Sequence, residues 1–121
     1  MTTWFSVHDG RLRVSCDDPL LEWEGLIDGL PASDLIALPS AASAIVLLDP
    51  PAGHAAVRNL VQVGCDAQVF WRAELPTTGE SDAFVSIELA ENGLIAASTW
   101  SGYRVVISPD TGASISQEFT K

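Results

Sequence analysis

Histidines, cysteines, serines and paired carboxylates are the side chains of this sequence that could carry chemistry. His8 and His54 are the only histidines, 46 positions apart, and neither has a second ligand at a metal-binding interval. A general base must lie within hydrogen-bond reach of the proton it takes. His8 beside Asp9 falls in a hairpin-turn region and His54 follows Gly53 in a loop, so both read as surface histidines. Cys16 and Cys65 lie 49 apart without metal spacing, and no base adjoins either in sequence; Arg58 and Arg72 are several positions from Cys65. Both read as inert thiols in a reducing compartment, with a single disulfide left open. Ser98, Thr99 and Ser101 surround Trp100, but Thr-Trp-Ser-Gly is not the Gly-x-Ser-x-Gly elbow that exposes a nucleophile. There is no dinucleotide fingerprint and no phosphate loop. Carboxylate pairs (Asp17 with Asp18, Glu22 with Glu24) are diluted by the abundance of acids, and only geometry could give one an acid–base role. The expectation is a chain with no catalytic residue, no cofactor and no metal.

Two features stand above that background. Between Arg13 and Arg58 there is no basic residue, while Asp17, Asp18, Glu22, Glu24, Asp28, Asp34 and Asp49 supply seven negative charges. A one-sign stretch speeds encounter with a basic partner and weakens with salt, although a solvated face is its blander meaning. The second feature is Trp100 with Tyr103 around a Ser-Gly turn, where aromatics at a loop tip would serve as binding anchors. The candidate partner-binding residues are therefore Asp17, Asp18, Glu22, Glu24, Asp28, Asp34, Trp100 and Tyr103.

Short strands must position these residues. Asp9-Gly10 between Trp4–His8 and Arg11–Cys16 is a strong hairpin signal, because the favoured two-residue turn needs positive φ at both centres. Asp18 can cap a helix begun by Pro19, and Leu20, Trp23, Ile27 and Leu30 recur at helical spacing, so a short helix is expected over Pro19–Asp28, weakened by Gly25 and ended by Gly29 and Pro31. The alternative there is an irregular loop pinned by Trp23. Leu35–Leu38 and Ala44–Asp49 read as strands, the second buried. Asn59–Val63 and Gln68–Leu75 follow after a loop over Pro50–His54. A polar loop over Thr77–Ser81 leads to Ala83–Leu89, and Asn92-Gly93 turns that strand into Leu94–Thr99. The last hairpin, Tyr103–Ser108 with Ala113–Thr120, turns at Pro109-Asp110-Thr111-Gly112, where Pro109 sets φ and Gly112 accepts a positive one. The count is about nine strands and at most one helix.

Length and charge bound the rest. A chain of 121 residues is one domain and buries roughly two thirds of its unfolded surface, enough for a core without metal or disulfide support. The apolar fraction of 47% and mean hydropathy of +0.23 agree with a packed globule. With 16 acids against 6 bases and a net charge of −10, nucleic acid and anionic membranes are poor partners. The longest mostly apolar segment, Leu35 to Leu48, is broken by Pro39, Ser40 and Ser43 and is too short to span a bilayer. The first residues lack a basic start followed by an apolar run, so no signal peptide and a cytoplasmic location are expected.

The two later hairpins echo each other. Asn59–Trp71 aligns with Tyr103–Ile115 at an offset of 44; Val61 falls on Val105, Val63 on Ile107 and Asp66 on Asp110. Each copy resembles the outer hairpin of a quinoprotein-type β-propeller blade, in which a strand, an Asp-x-x-Gly or Asp-x-Gly turn and a second strand recur. The ending Ala97-Ser-Thr-Trp-Ser-Gly-Tyr103, then Asp110-x-Gly112, then Phe119-Thr-Lys121, is similar to that of a group of small bacterial proteins of unassigned function. The resemblance covers about the last 65 residues and implies blade-like sheets, but no activity and no cofactor site. A closed propeller needs about four blades, so the expected fold is mainly β, with antiparallel blade-like sheets forming a sandwich or a strongly twisted sheet. The favoured function is an acidic, non-catalytic protein-binding module, of the kind an immunity-type inhibitor of a basic toxin or nuclease would be. It would act as a monomer or small homo-oligomer. The alternatives are a small-molecule or enzymatic β-domain with an inter-sheet pocket lined by Trp23, Trp71 and Trp100, and a subunit that assembles through open sheet edges.

Overall fold

The computed structural model describes residues 2–17, 20–38, 42–50, 57–76 and 82–120. Asp18, Pro19, His54, the turn at Pro39 and the Thr77–Ser81 loop lie outside them. Three antiparallel meanders follow one another along the chain. The first sheet is β1 (Thr3–His8), β2 (Arg11–Asp17) and β3 (Leu20–Gly25), in that order. The central sheet is β4 (Ala32–Leu38), β5 (Ser43–Leu48), β6 (Leu60–Val63) and β7 (Val69–Arg72). The third is β8 (Phe84–Leu89), β9 (Ile95–Thr99), β10 (Tyr103–Ile107) and β11 (Ser114–Phe119). The fold is mainly β and antiparallel, as the sequence implies, and the sheets are three in number. The two echoing hairpins are the third and fourth strands of the central and third sheets.

The sheets stack with the central one buried on both faces. Alternation along β5 explains this: Ala44, Val46 and Leu48 meet Leu12 and Val14 of the first sheet. Ile45 and Leu47 meet Phe84, Ile95, Ala97, Val105 and Ile107 of the third. A strand covered on both faces reads as a continuous apolar run, and every residue of β5 is buried. The outer sheets keep the half-wet alternation of antiparallel edges; β2 alternates exposed Arg11 and Arg13 with buried Leu12, Val14 and Cys16. The first strands of successive sheets lie beside each other, β1 against β4 and β4 against β8.

The expected helix over Pro19–Asp28 is instead β3 followed by a turn. Leu20–Gly25 pairs with β2 from Asp17↔Leu20 to Leu12↔Gly25. A period of two competes with the helical stripe here, with Leu21, Trp23 and Gly25 on one face and Glu22 and Glu24 on the other. The open edge of β2 supplies backbone partners that an isolated helix weakened by Gly25 could not match. Trp23, Ile27 and Leu30 do reach the core, but from a strand and a turn. Asp28 and Gly29 both have positive φ (55° and 75°), and Leu30 donates to the Ile27 carbonyl at 2.8 Å. This Asp-Gly pair is thus a second hairpin turn of the kind seen at Asp9-Gly10. The only helical element among the described residues is one 3-10 turn at Glu91–Gly93.

Candidate protein-binding surface

The groups that could have been catalytic are dispersed. His8 ends β1 in the open, 3.5 Å from the Asp9 carboxylate. Among the described residues no three His, Cys, Asp or Glu side chains gather where they could hold a metal. A serine beside a carboxylate does occur, at Ser101 and Asp82. Asp82 Oδ2 accepts from Ser101 Oγ at 2.8 Å, and Oδ1 accepts from the Ser101 and Ala83 amides at 3.0 and 2.9 Å. Thr99 Oγ1 lies 2.9 Å from Ser101 Oγ and accepts from the Tyr103 amide at 3.1 Å. This network ties down the turn from Thr99 to Tyr103. Nothing in the sequence around Asp82 marks it for this role.

That turn presents Trp100, 69% exposed. Tyr103 is half-buried, its ring 5.3 Å from that of Phe119 at a tilt of 58°. Thr120 donates its amide to the Gly102 carbonyl at 2.8 Å, which brings the end of β11 to the same turn. Trp100, Tyr103 and Phe119 (58% exposed) thus share one end of the third sheet. Phe119 escapes notice in sequence because it stands at the far end of a weakly alternating strand.

The acids fall elsewhere, mostly on the first sheet, with the central sheet between them and Trp100. Glu24 Oε1 accepts from Arg13 Nη2 at 2.7 Å, and Arg11 Nε lies 3.6 Å from its other oxygen. Asp28 is gripped through both oxygens by Arg72, at 3.0 and 2.8 Å. Folding thus brings bases into a stretch that has none: two from the neighbouring strand and one from 44 residues downstream. Asp17 Oδ1 accepts from the Thr2 amide at 2.6 Å, and Asp34 Oδ1 from the Leu35 amide at 2.8 Å. Among the described residues Asp17, Glu22 and Asp34 have no ion-pair partner. Asp34 belongs to the central sheet and Asp28 to the turn after β3; Asp18 lies outside the described residues.

On the outer face of the first sheet, cross-strand registration sets Trp4 opposite Ser15 and Ser15 opposite Glu22. Trp4 is 55% exposed, and Leu20, paired with Asp17 on the same face, is 72% exposed. An open groove of about 360 Å³ runs over β2 and β3 past Arg13, Ser15, Glu22 and Glu24. One face therefore combines an exposed indole, an exposed leucine and two carboxylates without a bound base. The sequence holds a signal for it: Trp4 lies on the polar side of β1, with Ser6 and His8.

The Arg13 hydrogen bond, then its charge, hold the Glu24 carboxyl below its ordinary value of 4.5. A carboxylate whose pKa is depressed by folding adds stability above its unfolded pKa and loses it as pH falls through the folded one. The urea midpoint of the wild type is thus expected to fall more steeply below about pH 4.5 than that of Glu24→Gln. Equal slopes would show that the pair contributes nothing in solution.

The three tryptophans considered for a pocket do not converge. Trp23 packs in the interface between the first and central sheets, Trp71 in that between the central and third, and Trp100 stands in solvent. Aliphatic and aromatic side chains line both interfaces. Two further open grooves lie over the outer face of the third sheet, at Glu88, Arg104 and Val106, and at the edge where Arg58, Trp71 and Gly112 meet. No helix among the described residues is long and apolar enough to cross a membrane.

Fold and surface define an all-antiparallel β protein whose notable side chains lie on outer faces and turns. Residues 34–119 match the family described as Domain of unknown function (DUF7957), and the chain belongs to it. The match takes in nearly all of the central and third sheets, and the first sheet precedes it. No curated protein matches the chain.

Proposed function

We propose that the protein is an acidic, non-catalytic binding module for a basic protein partner, which it meets with the outer face of its first sheet. The observation that carries this reading is Trp4 and Leu20 exposed on the same face as Asp17 and Glu22. Arginine-rich partners suit such a face, since guanidinium groups stack on indole and pair with carboxylates. A net charge of −10 steers the encounter. An inhibitor of a basic toxin or nuclease is the sharpest form of the reading, acting in a reducing cytoplasm that suits two cysteines not joined by a disulfide. Three stacked meanders with adjacent first strands favour a blade-like scaffold, here serving as a rigid support rather than a cofactor ring.

The test is affinity capture from lysate of the source organism at low and high salt, repeated with Trp4→Ala, with Asp17→Lys/Glu22→Lys, and with Trp100→Ala. A basic protein is expected to be held at low salt and released at high salt. Trp4→Ala is expected to weaken it by about tenfold or more, the double charge reversal to abolish it, and Trp100→Ala to leave it unchanged. Capture insensitive to the first-sheet changes, or lost only with Trp100→Ala, would move the site to the third sheet.

A further inference from the structure

Among the described strands, β11 alone has every residue exposed, all six of Ser114–Phe119. One of its sides pairs with β10, and no described residue pairs with the other. An open edge invites a further strand unless it is short, charged or broken by proline. The outer edge of the central sheet, β7, is four residues long and carries Arg72. The outer edge of the first sheet, β3, carries Glu22 and Glu24. Antiparallel pairing of β3 with a copy of itself about Trp23 would set those like charges directly opposite each other. Glu118 is the one charged residue of β11, and proline and lysine are absent from it. A register shift between Val106 and Ile107 leaves Ile115 as an extra residue and bounds the regular run to Ile115–Phe119.

We infer that β11 pairs antiparallel with β11 of a second copy, about a two-fold axis at Gln117, joining the two third sheets into one. Backbone phase suits this axis. Thr120 N–H points to β10, where it meets the Gly102 carbonyl at 2.8 Å, so by alternation the amide and carbonyl of Gln117 point away from β10. At the axis each Gln117 then exchanges two backbone hydrogen bonds with its counterpart. Side chains suit it as well. Phe119 falls opposite Ile115 of the partner subunit, an aromatic and β-branched pair, and both are exposed in the single chain. Phe119 already touches Tyr103 on its other side, so the pairing continues an apolar row across the junction. Glu118 falls opposite Ser116 of the partner subunit, which keeps the two carboxylates of the joined strands apart. The first-sheet face stays free, so this self-association neither needs nor excludes a basic partner there.

Sedimentation equilibrium of the purified chain reads the association. The wild type is expected to show twice the mass of one chain at about 100 μM and to dissociate on dilution. Gln117→Pro removes one outward N–H from each copy and leaves the bonds to β10 in place. It is expected to weaken the dimer by about thirtyfold or more, for two lost hydrogen bonds, with circular dichroism unchanged. Should Gln117→Pro fail to fold, Gln117→Lys keeps every backbone donor, sets two like charges at the axis and is expected to run as one chain. In a Cys65→Ser background, Gln117→Cys is expected to give a covalent dimer with oxidised glutathione, since residues opposite each other at such an axis have Cα atoms about 5.5 Å apart, within disulfide reach. Ser116→Cys in the same background is expected to give none. A wild type of single-chain mass at that concentration would overturn the inference, and so would a dimer that the Gln117 variants leave unchanged.

Discussion

Gly112→Ala is expected to lower stability by about 3 kcal/mol, from two costs that fall on one methyl group. Gly112 has φ of +77°, a region where a Cβ carries a strain of about 1–2 kcal/mol. A Cβ built there would also lie 2.5 Å from Trp71 Cδ2, 2.6 Å from Cε3 and 2.8 Å from Cγ. The indole cannot swing away without loss, because its Nε1–H donates to the Pro109 carbonyl at 2.9 Å and its ring packs in the interface between the central and third sheets. Nor can the turn easily retreat, since Gly112 N–H bonds Ser108 O at 2.8 Å and Ser108 N–H bonds Ala113 O at 3.0 Å. Gly93→Ala separates the two costs. Gly93 has φ of +72° with open space where its Cβ would go, so it should cost only about 1 kcal/mol, the strain alone. Urea unfolding followed by circular dichroism measures both. Equal losses would mean that the Trp71 ring moves aside freely and does not lock the third sheet to the central one.

The same turn shows where sequence reasoning stops. Pro109-Asp110-Thr111-Gly112 announces a turn with positive φ at its glycine, because the rule is local. That Trp71, from another sheet, fills the space beneath it is a tertiary fact with no local signature. Strands and most turns were legible for the first reason: Asp9-Gly10 and the unbroken apolar run of β5 each follow from backbone sterics or two-sided burial. The segment after Asp17 was not, because residues 20–30 satisfy two periods at once and the deciding partner is the free edge of β2. Asp28-Gly29 carried the same hairpin signal as Asp9-Gly10 and was masked by the helical stripe around it. Among the candidate binding residues, charge was legible but its neutralisation was not. Glu24 and Asp28 meet arginines that the chain brings from a neighbouring strand and from a different sheet. Trp4, conversely, needed only the observation that a large aromatic sat on the wet side of an alternating strand.

Asn59→Ala is expected to cost more than any surface change, about 3–5 kcal/mol, a large part of the stability of a domain this size. Asn59 is fully buried. Its amide nitrogen donates to the carbonyls of Leu48 and Phe84 at 2.7 and 2.8 Å, and its oxygen accepts the Phe84 amide at 2.8 Å. One side chain thus joins the end of β5 to the start of β8 and satisfies three backbone groups in the core. Truncation would leave them unpaired, each at about 1–3 kcal/mol with incomplete additivity. Asn59→Asp is the more discriminating variant, since it has the same shape but puts an oxygen where the donor was, opposite two carbonyls. Burial and those carbonyls would raise its carboxyl pKa in the folded state. A group with a raised folded pKa favours folding below its unfolded pKa and loses that contribution as pH rises. Asn59→Asp should therefore be most damaging near neutral pH and recover below the ordinary aspartate value of about 4, where the proton restores one donor. The deficit of Asn59→Ala should stay constant with pH. Parallel pH profiles for the two variants would mean that the Leu48 and Phe84 carbonyls find other donors.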